Sequence, residues 1–543
     1  MSLKKTAVIF FISLYFTLSL PSSMEACTSI LVTKSASSDG STMISYSCDG
    51  EFHPRMSIIP AADHKPGDLA EVRTWRGLKG KIPQVAHTYK VVGLMNEHQL
   101  AIGETTAGGR PELVNTDAMF HYYSLMLMTL QRAKTAREAI TVMTSLVEKY
   151  GYCSEGESIS IADKEEVWLL EIYGTGKGGK GAVWVAVKIP EGMVCAHANM
   201  SRIREFPMDD PENVLYSKNV ISFAVKKGYY DPKKGKPFSF SEAYNPPTEE
   251  QVRYSARRVW SIFRRISPSR NLSPDYSSYK KNAKPYPLYI KPDRKLGVRD
   301  VIALHRDHYE GTEFDMTKDV TAGPFGAPDR WRPMKWKVKE KLYVWERPIS
   351  TQQAAFVFVS QSRGHIPDEI GGVYWYGLDN PYTNFFIPLY TSVSRLPESY
   401  ITGTLQRFTR DSAWWAFNFV ANYANLRWSH MIKDIQKVQK EIEDLEFDLQ
   451  PAIETAALTL IKKDPALVEK FLTRYCISNG ELNIKKWWRL ADFLVTKYND
   501  GYIQNEKGRP QEVGYPEKWL EKEARINSSK KHLKQERDGK GEL

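Results

Sequence analysis

Cys27 stands in the stretch "EACTSILVTK", directly after the apolar leader "AVIFFISLYFTLSLPSSM". A cysteine that heads a mature chain carries two reactive groups on one residue, a thiol and a free α-amine. The amine has a reference pKa near 8. That is close enough to neutrality to take the thiol proton and return it later to a leaving amine. Three readings of Cys27 compete: a buried core cysteine, the default for a lone one, a lipidated anchor, or an N-terminal nucleophile. Glu25, two places earlier, is foreign to the small or aliphatic stretch that lipidation wants. "TSILVTK" also starts a strand at once, where an anchored protein would continue with a flexible tether.

Two other motifs invite chemistry and do not sustain it. "GTGKGGKG" (174–181) has the glycines of a phosphate loop, but Gly181 replaces the required Ser or Thr, and "AVWVAVKI" follows as a strand instead of a helix. It reads as a glycine hairpin loop. "HRDH" places His305 and His308 three apart, as on one helix face, yet no HExxH-type motif or further ligand accompanies them. Structural histidines are expected there. The five cysteines (Cys27, Cys48, Cys153, Cys195, Cys476) form neither a disulfide framework nor a zinc spacing.

The elements that would position Cys27 begin with a leader. Lys4 and Lys5 precede an apolar run from Thr6 to Leu20, and Pro21, Ser22 and Ser23 break it before a cut after Ala26. The run is shorter than the roughly 20 residues a membrane span needs, so export to the periplasm or beyond is expected, with no stable membrane span. Residues 1–26 read as signal peptide. The 543 residues are 42% hydrophobic and 26% charged, as in a globular protein with a sizeable core. The net charge of +11 is spread along the chain without a basic stripe or module, which speaks against nucleic-acid binding.

"CTSILVTK" and "STMISYS" are strand-like, and Asp39-Gly40 between them signals a hairpin turn. Strand-like runs follow at "HTYKVVGLM" and "QLAIGET", then two helical patterns, "DAMFHYYSLMLMTLQRA" and "TAREAITVMTSLVEKYG". Strands return at "ESISIAD", "EVWLLEIY", "AVWVAVKI" and "GMVCAHA", and later at "QAAFVFVSQ" and "GGVYWYGLD". This order predicts a layered α+β body. Residues 207–350, rich in Pro, Tyr and Lys, read as helices with long connections, and one long helix is expected from Asp411 to about Leu449.

"CTSILVTKSASSDGSTM", "NEHQLAIGETT", "ANMSRIREF", "HYEGTEFDMTKDVTAGPFGAP" and "WWAFNFVANYANLRW" resemble, in this order, the dipeptidase A family of cysteine N-terminal-nucleophile hydrolases. They span Cys27 to about residue 430. The resemblance implies a four-layer αββα sandwich whose nucleophile opens a central strand, and cleavage of dipeptides with no metal or other cofactor. Cys27 matches the family nucleophile, and Asp49 matches a carboxylate that lies near its amine. Many relatives carry an arginine where Tyr46 stands, so that charge is absent here or comes from elsewhere. Asn199 matches an oxyanion donor; its bland alternative is capping a turn. Arg202 is left between a substrate-carboxylate clamp and a surface ion pair. Glu104 can accept a substrate's α-ammonium, with Thr105 and Thr106 lining the cleft, or can end a strand by satisfying local backbone.

The expected organisation is a catalytic domain over 27–405, a helical region over 406–525 packed on it, and a charged, flexible tail over 526–543. The expected activity is a cysteine-type dipeptidase acting on small peptides. An acyl-amide hydrolase of the bile-salt or penicillin type is the alternative within enzymes, and a lipid-anchored peptide-binding surface protein the alternative outside them. Assembly into a homo-oligomer is compatible with the sequence, which sets no oligomeric state.

Overall fold

The computed structural model describes residues 27–50, 52–74, 77–329, 335–344, 346–511 and 513–531. The leader expected over 1–26 lies outside the described residues, as does the expected tail beyond 531.

Seven strands carry the argument: β1 (Thr28–Val32), β2 (Met43–Asp49), β3 (Ala101–Gly108), β4 (Gly156–Ala162), β5 (Val167–Gly174), β6 (Val194–His197) and β7 (Ala354–Gln361). A seven-stranded antiparallel sheet runs in the order Tyr289–Ile290, β6, β1, β2, β7, Val373–Leu378, Ile387–Tyr390. An eight-stranded antiparallel sheet has β5, β4 and β3 at its centre. β1 and β2 of the first sheet pack against β3, and β2 also against β4. Every residue of β1 is therefore buried. Strands covered on both faces read as unbroken apolar runs, and "SILV" is such a run. Ile30 and Leu31, both fully buried, each contribute about 1.5–3 kcal/mol by leaving water.

The turn that returns β2 beside β1 is built as its sequence suggests. Gly40 takes φ +73, open only at a steric cost to other residues. The Asp39 carboxylate accepts from the hydroxyls of Ser37 and Ser41 and from the Ser41 N–H. The glycine loop 175–181 likewise joins two antiparallel strands, with Gly174 facing Ala182.

Helices α1 (Tyr122–Leu130) and α2 (Ala136–Tyr150) follow β3 and pack on the second sheet. Thr135 caps α2 by accepting from the Glu138 N–H, and Gly151 ends it at φ +80. Helix α3 (Arg257–Ile266), preceded by a π-helical turn at Val252–Ala256, packs against β6. The helix expected from Asp411 onward is two helices, Ala413–Ala424 and Trp428–Ile461. No helix breaker stands between them. The chain turns because the Arg427 guanidinium reaches the carbonyls of Gly501 and Gly514, a contact no local pattern announces. Pro465–Lys497 folds back along Trp428–Ile461. Helix Glu517–Lys531 runs into the start of the expected tail. Among the described residues no helix is long and apolar enough to cross a membrane.

Candidate active site

Cys27 immediately precedes β1 and is 1% exposed. Thr28 pairs with Ser47 across the β1–β2 ladder, so one step further sets Cys27 opposite Cys48, with Asp49 next along the strand. The Cys27 thiol donates to Tyr46 Oη at 3.8 Å, and that phenol donates to Glu104 Oε1 at 2.5 Å. Tyr46 fits there because β3 has no side chain beneath it: a Cβ on Gly103 would lie 3.0 Å from Tyr46 Cβ. Phe356 and Phe358 of β7 meet the Tyr46 ring edge-on.

The Cys27 pKa is raised well above the ordinary thiol range. The hydrogen bond with the Cys48 thiol comes first, then burial, then the charges of Glu104 and Asp49. At neutral pH the sulfur therefore keeps its proton.

Two buried arginines stand near Cys27. Arg258, on α3, donates through Nη1 to the Cys27 carbonyl at 2.6 Å and to Thr28 Oγ1 at 2.9 Å. Through Nη2 it donates to Asn199 Oδ1 at 2.8 Å. Burial and the neighbouring Arg347 lower its pKa to about 10, which still leaves it charged at neutral pH. Arg347 in turn pairs with Asp49, and both are almost fully buried. Sequence reading missed both arginines. Arg258 carried one signal: it lies on the stripe of Ser255, Val259, Ile262 and Ile266, where an arginine has no business unless it is paired. For Arg347 there was none.

Asn199 follows β6 at φ +46, in the left-handed region that asparagine enters more readily than most residues. Its Nδ2 donates to the Thr106 carbonyl at 2.8 Å, so the Arg258 and Thr106 bonds together fix the amide orientation. The turn behind it is gripped by Glu171 of β5, whose carboxylate accepts from the N–H groups of Arg202 and Ile203 and from the Ser201 hydroxyl. Burial raises Glu171 to about 7 despite these donors.

The remaining expected residues divide. Glu104 is buried beside Tyr46 and also beside Glu157 of β4. Glu157 is raised well above the carboxylate range by burial and by Glu104. Glu157 also accepts from Thr106 Oγ1 and Ser154 Oγ, each at 3.3 Å. It was not foreseen from the sequence. Thr106 thus joins the site through both its carbonyl and its hydroxyl. Thr105 does not face it: its hydroxyl bonds to His197 Nδ1 at 2.7 Å, and His197 Nε2 reaches Ser160. Burial keeps that imidazole neutral, with a pKa pushed down to about 3.

Arg202, only 6% exposed, is no surface ion-pair residue. Its guanidinium donates to the carbonyls of Tyr286 and Pro287 and lies over the Phe263 ring, a set of partners separate from those of Cys27. His305 bonds to Ser45 within the core, and His308 sits between Glu310 and Asp329. Among the described residues no group of three or more His, Cys, Asp or Glu side chains is arranged to hold a metal ion.

A buried thiol, an oriented amide and a paired guanidinium gathered on one sheet and the helix that covers it are the equipment of a hydrolase, and comparison with known proteins makes that class a peptidase. The sequence model of peptidase family C69 matches residues 26–74 and 68–441. The chain belongs to peptidase family C69, so the resemblance to the dipeptidase A family is borne out. A "Probable dipeptidase" of Latilactobacillus sakei is 28% identical over 417 residues, covering 73% of this chain and 80% of its own. One of Salmonella dublin is 26% identical over 71% of this chain and 85% of its own. A "Probable dipeptidase B" of Streptococcus pyogenes serotype M1 is 24% identical over 89% of this chain and 95% of its own.

Proposed function

We propose that the protein is an exported dipeptidase, trimmed after Ala26, whose Cys27 thiol attacks the scissile carbonyl with its own α-amine as base. The family and the dipeptidase names of its relatives bear out the expectation of a cysteine-type dipeptidase. The mechanism and the export are our reading. So is the four-layer αββα architecture, which the packing of β1 and β2 on β3 supports, with α1 and α2 on one sheet and α3 on the other.

The observation that supports the reading is the Arg258 bridge, which ties the Cys27 carbonyl to the Asn199 side chain, so that thiol, cation and amide lie in one buried cluster. The amine, directly or through a water, takes the thiol proton as sulfur bonds to the carbonyl carbon. The oxyanion is met by Asn199 and backbone N–H groups while Arg258 offsets the charge. The ammonium then protonates the departing amino acid, and water opens the thioester. Asp49, held by Arg347 one step past the position opposite Cys27, supports the ammonium form of that amine.

A dipeptide places its own α-ammonium two bonds from the attacked carbonyl. Glu104, one phenol oxygen away from the sulfur, stands at that range, and its neighbour Glu157 adds a second acceptor. This favours dipeptides over acyl-amides, which bring no cation. A lipid anchor on a sulfur buried between Tyr46 and Cys48 would have to displace the core around it. The test is hydrolysis of a panel of dipeptides and acyl-amides by the mature protein and by Cys27→Ala. Dipeptide turnover by the first and none by the second supports the reading; normal turnover by Cys27→Ala overturns it.

A further inference from the structure

Cys48 contributes no reacting atom to this chemistry, yet it is the direct cross-strand neighbour of Cys27. Residues opposite one another in an antiparallel pair project to the same side of the sheet. Their Cα atoms stand about 4.5 or 5.5 Å apart, depending on which pair of the ladder they form. A disulfide spans Cα separations of about 4.4–6.8 Å, and both kinds of cross-strand pair fall within that range. No other pair among the five cysteines has this placement in the ladder: Cys195 faces Leu31, and the Cys476 thiol donates to the Pro388 carbonyl on the far side of the sheet. Cys153 follows α2 in a loop outside the first sheet.

We propose that Cys27 and Cys48 form a thiol–disulfide exchange site, in which a small-molecule disulfide of the glutathione type converts the pair reversibly into a Cys27–Cys48 bond. In the first step the Cys27 thiolate attacks one sulfur of the small disulfide. The protein–small-molecule S–S bond forms, the original S–S bond breaks, and one small thiolate departs. In the second step Cys48 attacks the Cys27 sulfur and expels the second small thiolate. Two protein thiols are oxidised, one disulfide is reduced to two thiols, and the two protein protons end on the departing thiolates. The consequence for activity rests on the nucleophile assigned under the proposed function: with its sulfur tied to Cys48, the enzyme is off until reduced. The formation of the bond does not depend on that assignment.

The mature protein is incubated with oxidised glutathione, alkylated, digested and analysed by mass spectrometry, beside Cys48→Ser. The expected result is a Cys27–Cys48 cross-linked peptide, near-complete loss of dipeptide hydrolysis, and full recovery with dithiothreitol. Cys48→Ser should instead stop at a glutathione adduct on Cys27. Wild-type protein that ends with both cysteines alkylated, or with the adduct on Cys27 and no cross-link, overturns the proposal. A cross-link that forms while hydrolysis continues leaves the exchange site standing and removes Cys27 as nucleophile.

Discussion

Arg347 and Asp49 form an ion pair inside the core, at 2% and 1% side-chain exposure, 298 residues apart in the chain. Both charges have left water, and each is tolerable only because of the other. Breaking a buried pair from one side costs about 3–5 kcal/mol, whereas replacing both partners by apolar groups is often neutral. Arg347→Met should therefore lower unfolding stability by about that amount in urea titration, while Arg347→Met with Asp49→Leu should recover most of it. The double variant should nonetheless remain a poor enzyme, because the carboxylate beside the α-amine is gone.

Asn199 and Arg258 act as a unit in the proposed reaction. Removing one oxyanion donor costs about 100- to 1000-fold in rate, so Asn199→Ala should lose that much kcat with little change in KM. Arg258→Lys keeps the charge but not the fork that reaches Cys27, Thr28 and Asn199 together. Losing a charged hydrogen bond of about 1.5–3 kcal/mol should again fall on kcat. The two losses should not add in Asn199→Ala with Arg258→Lys. Steady-state kinetics of the three variants measures this.

The carboxyls of Glu104 and Glu157 should confer a preference for substrates with a free α-amine. N-acetylation of a good dipeptide should abolish most turnover, and Glu104→Gln should raise KM for the free dipeptide while narrowing its advantage over the acetylated one. Equal turnover of both substrates by the wild-type enzyme would remove the ammonium-binding role.

Stability should decline on the alkaline side. Burial alone would lower the His308 pKa, but Asp329 and Glu310 outweigh it and push the imidazole up to about 9. A group whose pKa is raised on folding binds its proton more tightly in the native state. Its contribution is complete below its unfolded value, near 6.5, and is lost as pH climbs through about 9. Burial raises Glu171 and Asp379 to about 7, and this acts in the same direction from their unfolded values, near 4, up through 7. Denaturant midpoints should thus fall steadily between neutral pH and 9, and His308→Gln should flatten the upper part of that slope.

What was legible in the sequence was local. Asp39-Gly40 announced the β1–β2 hairpin because turn chemistry sits in consecutive residues, and from the hairpin follows the closeness of Cys27 to Asp49. Thr135 and Gly151 mark the ends of α2 for the same reason. Arg258 and Arg347 were not legible as site residues, being 231 and 298 positions from the groups they bind. The sequence groups Thr105 with its neighbours in the cleft, but its hydroxyl is taken up by His197, a partner far along the chain. Glu157 escaped notice because a carboxylate in "ESISIAD" looks like a strand's polar edge until β3 is laid beside it.

Everything in the mechanism requires a free α-amine on Cys27, and Edman sequencing of the catalytically active species measures that directly. The account predicts a first cycle blank or alkylated for cysteine, followed by Thr-Ser-Ile-Leu-Val. An active enzyme whose sequence begins at any other residue, or whose Cys27 amine is blocked while dipeptides are still cleaved, would contradict it.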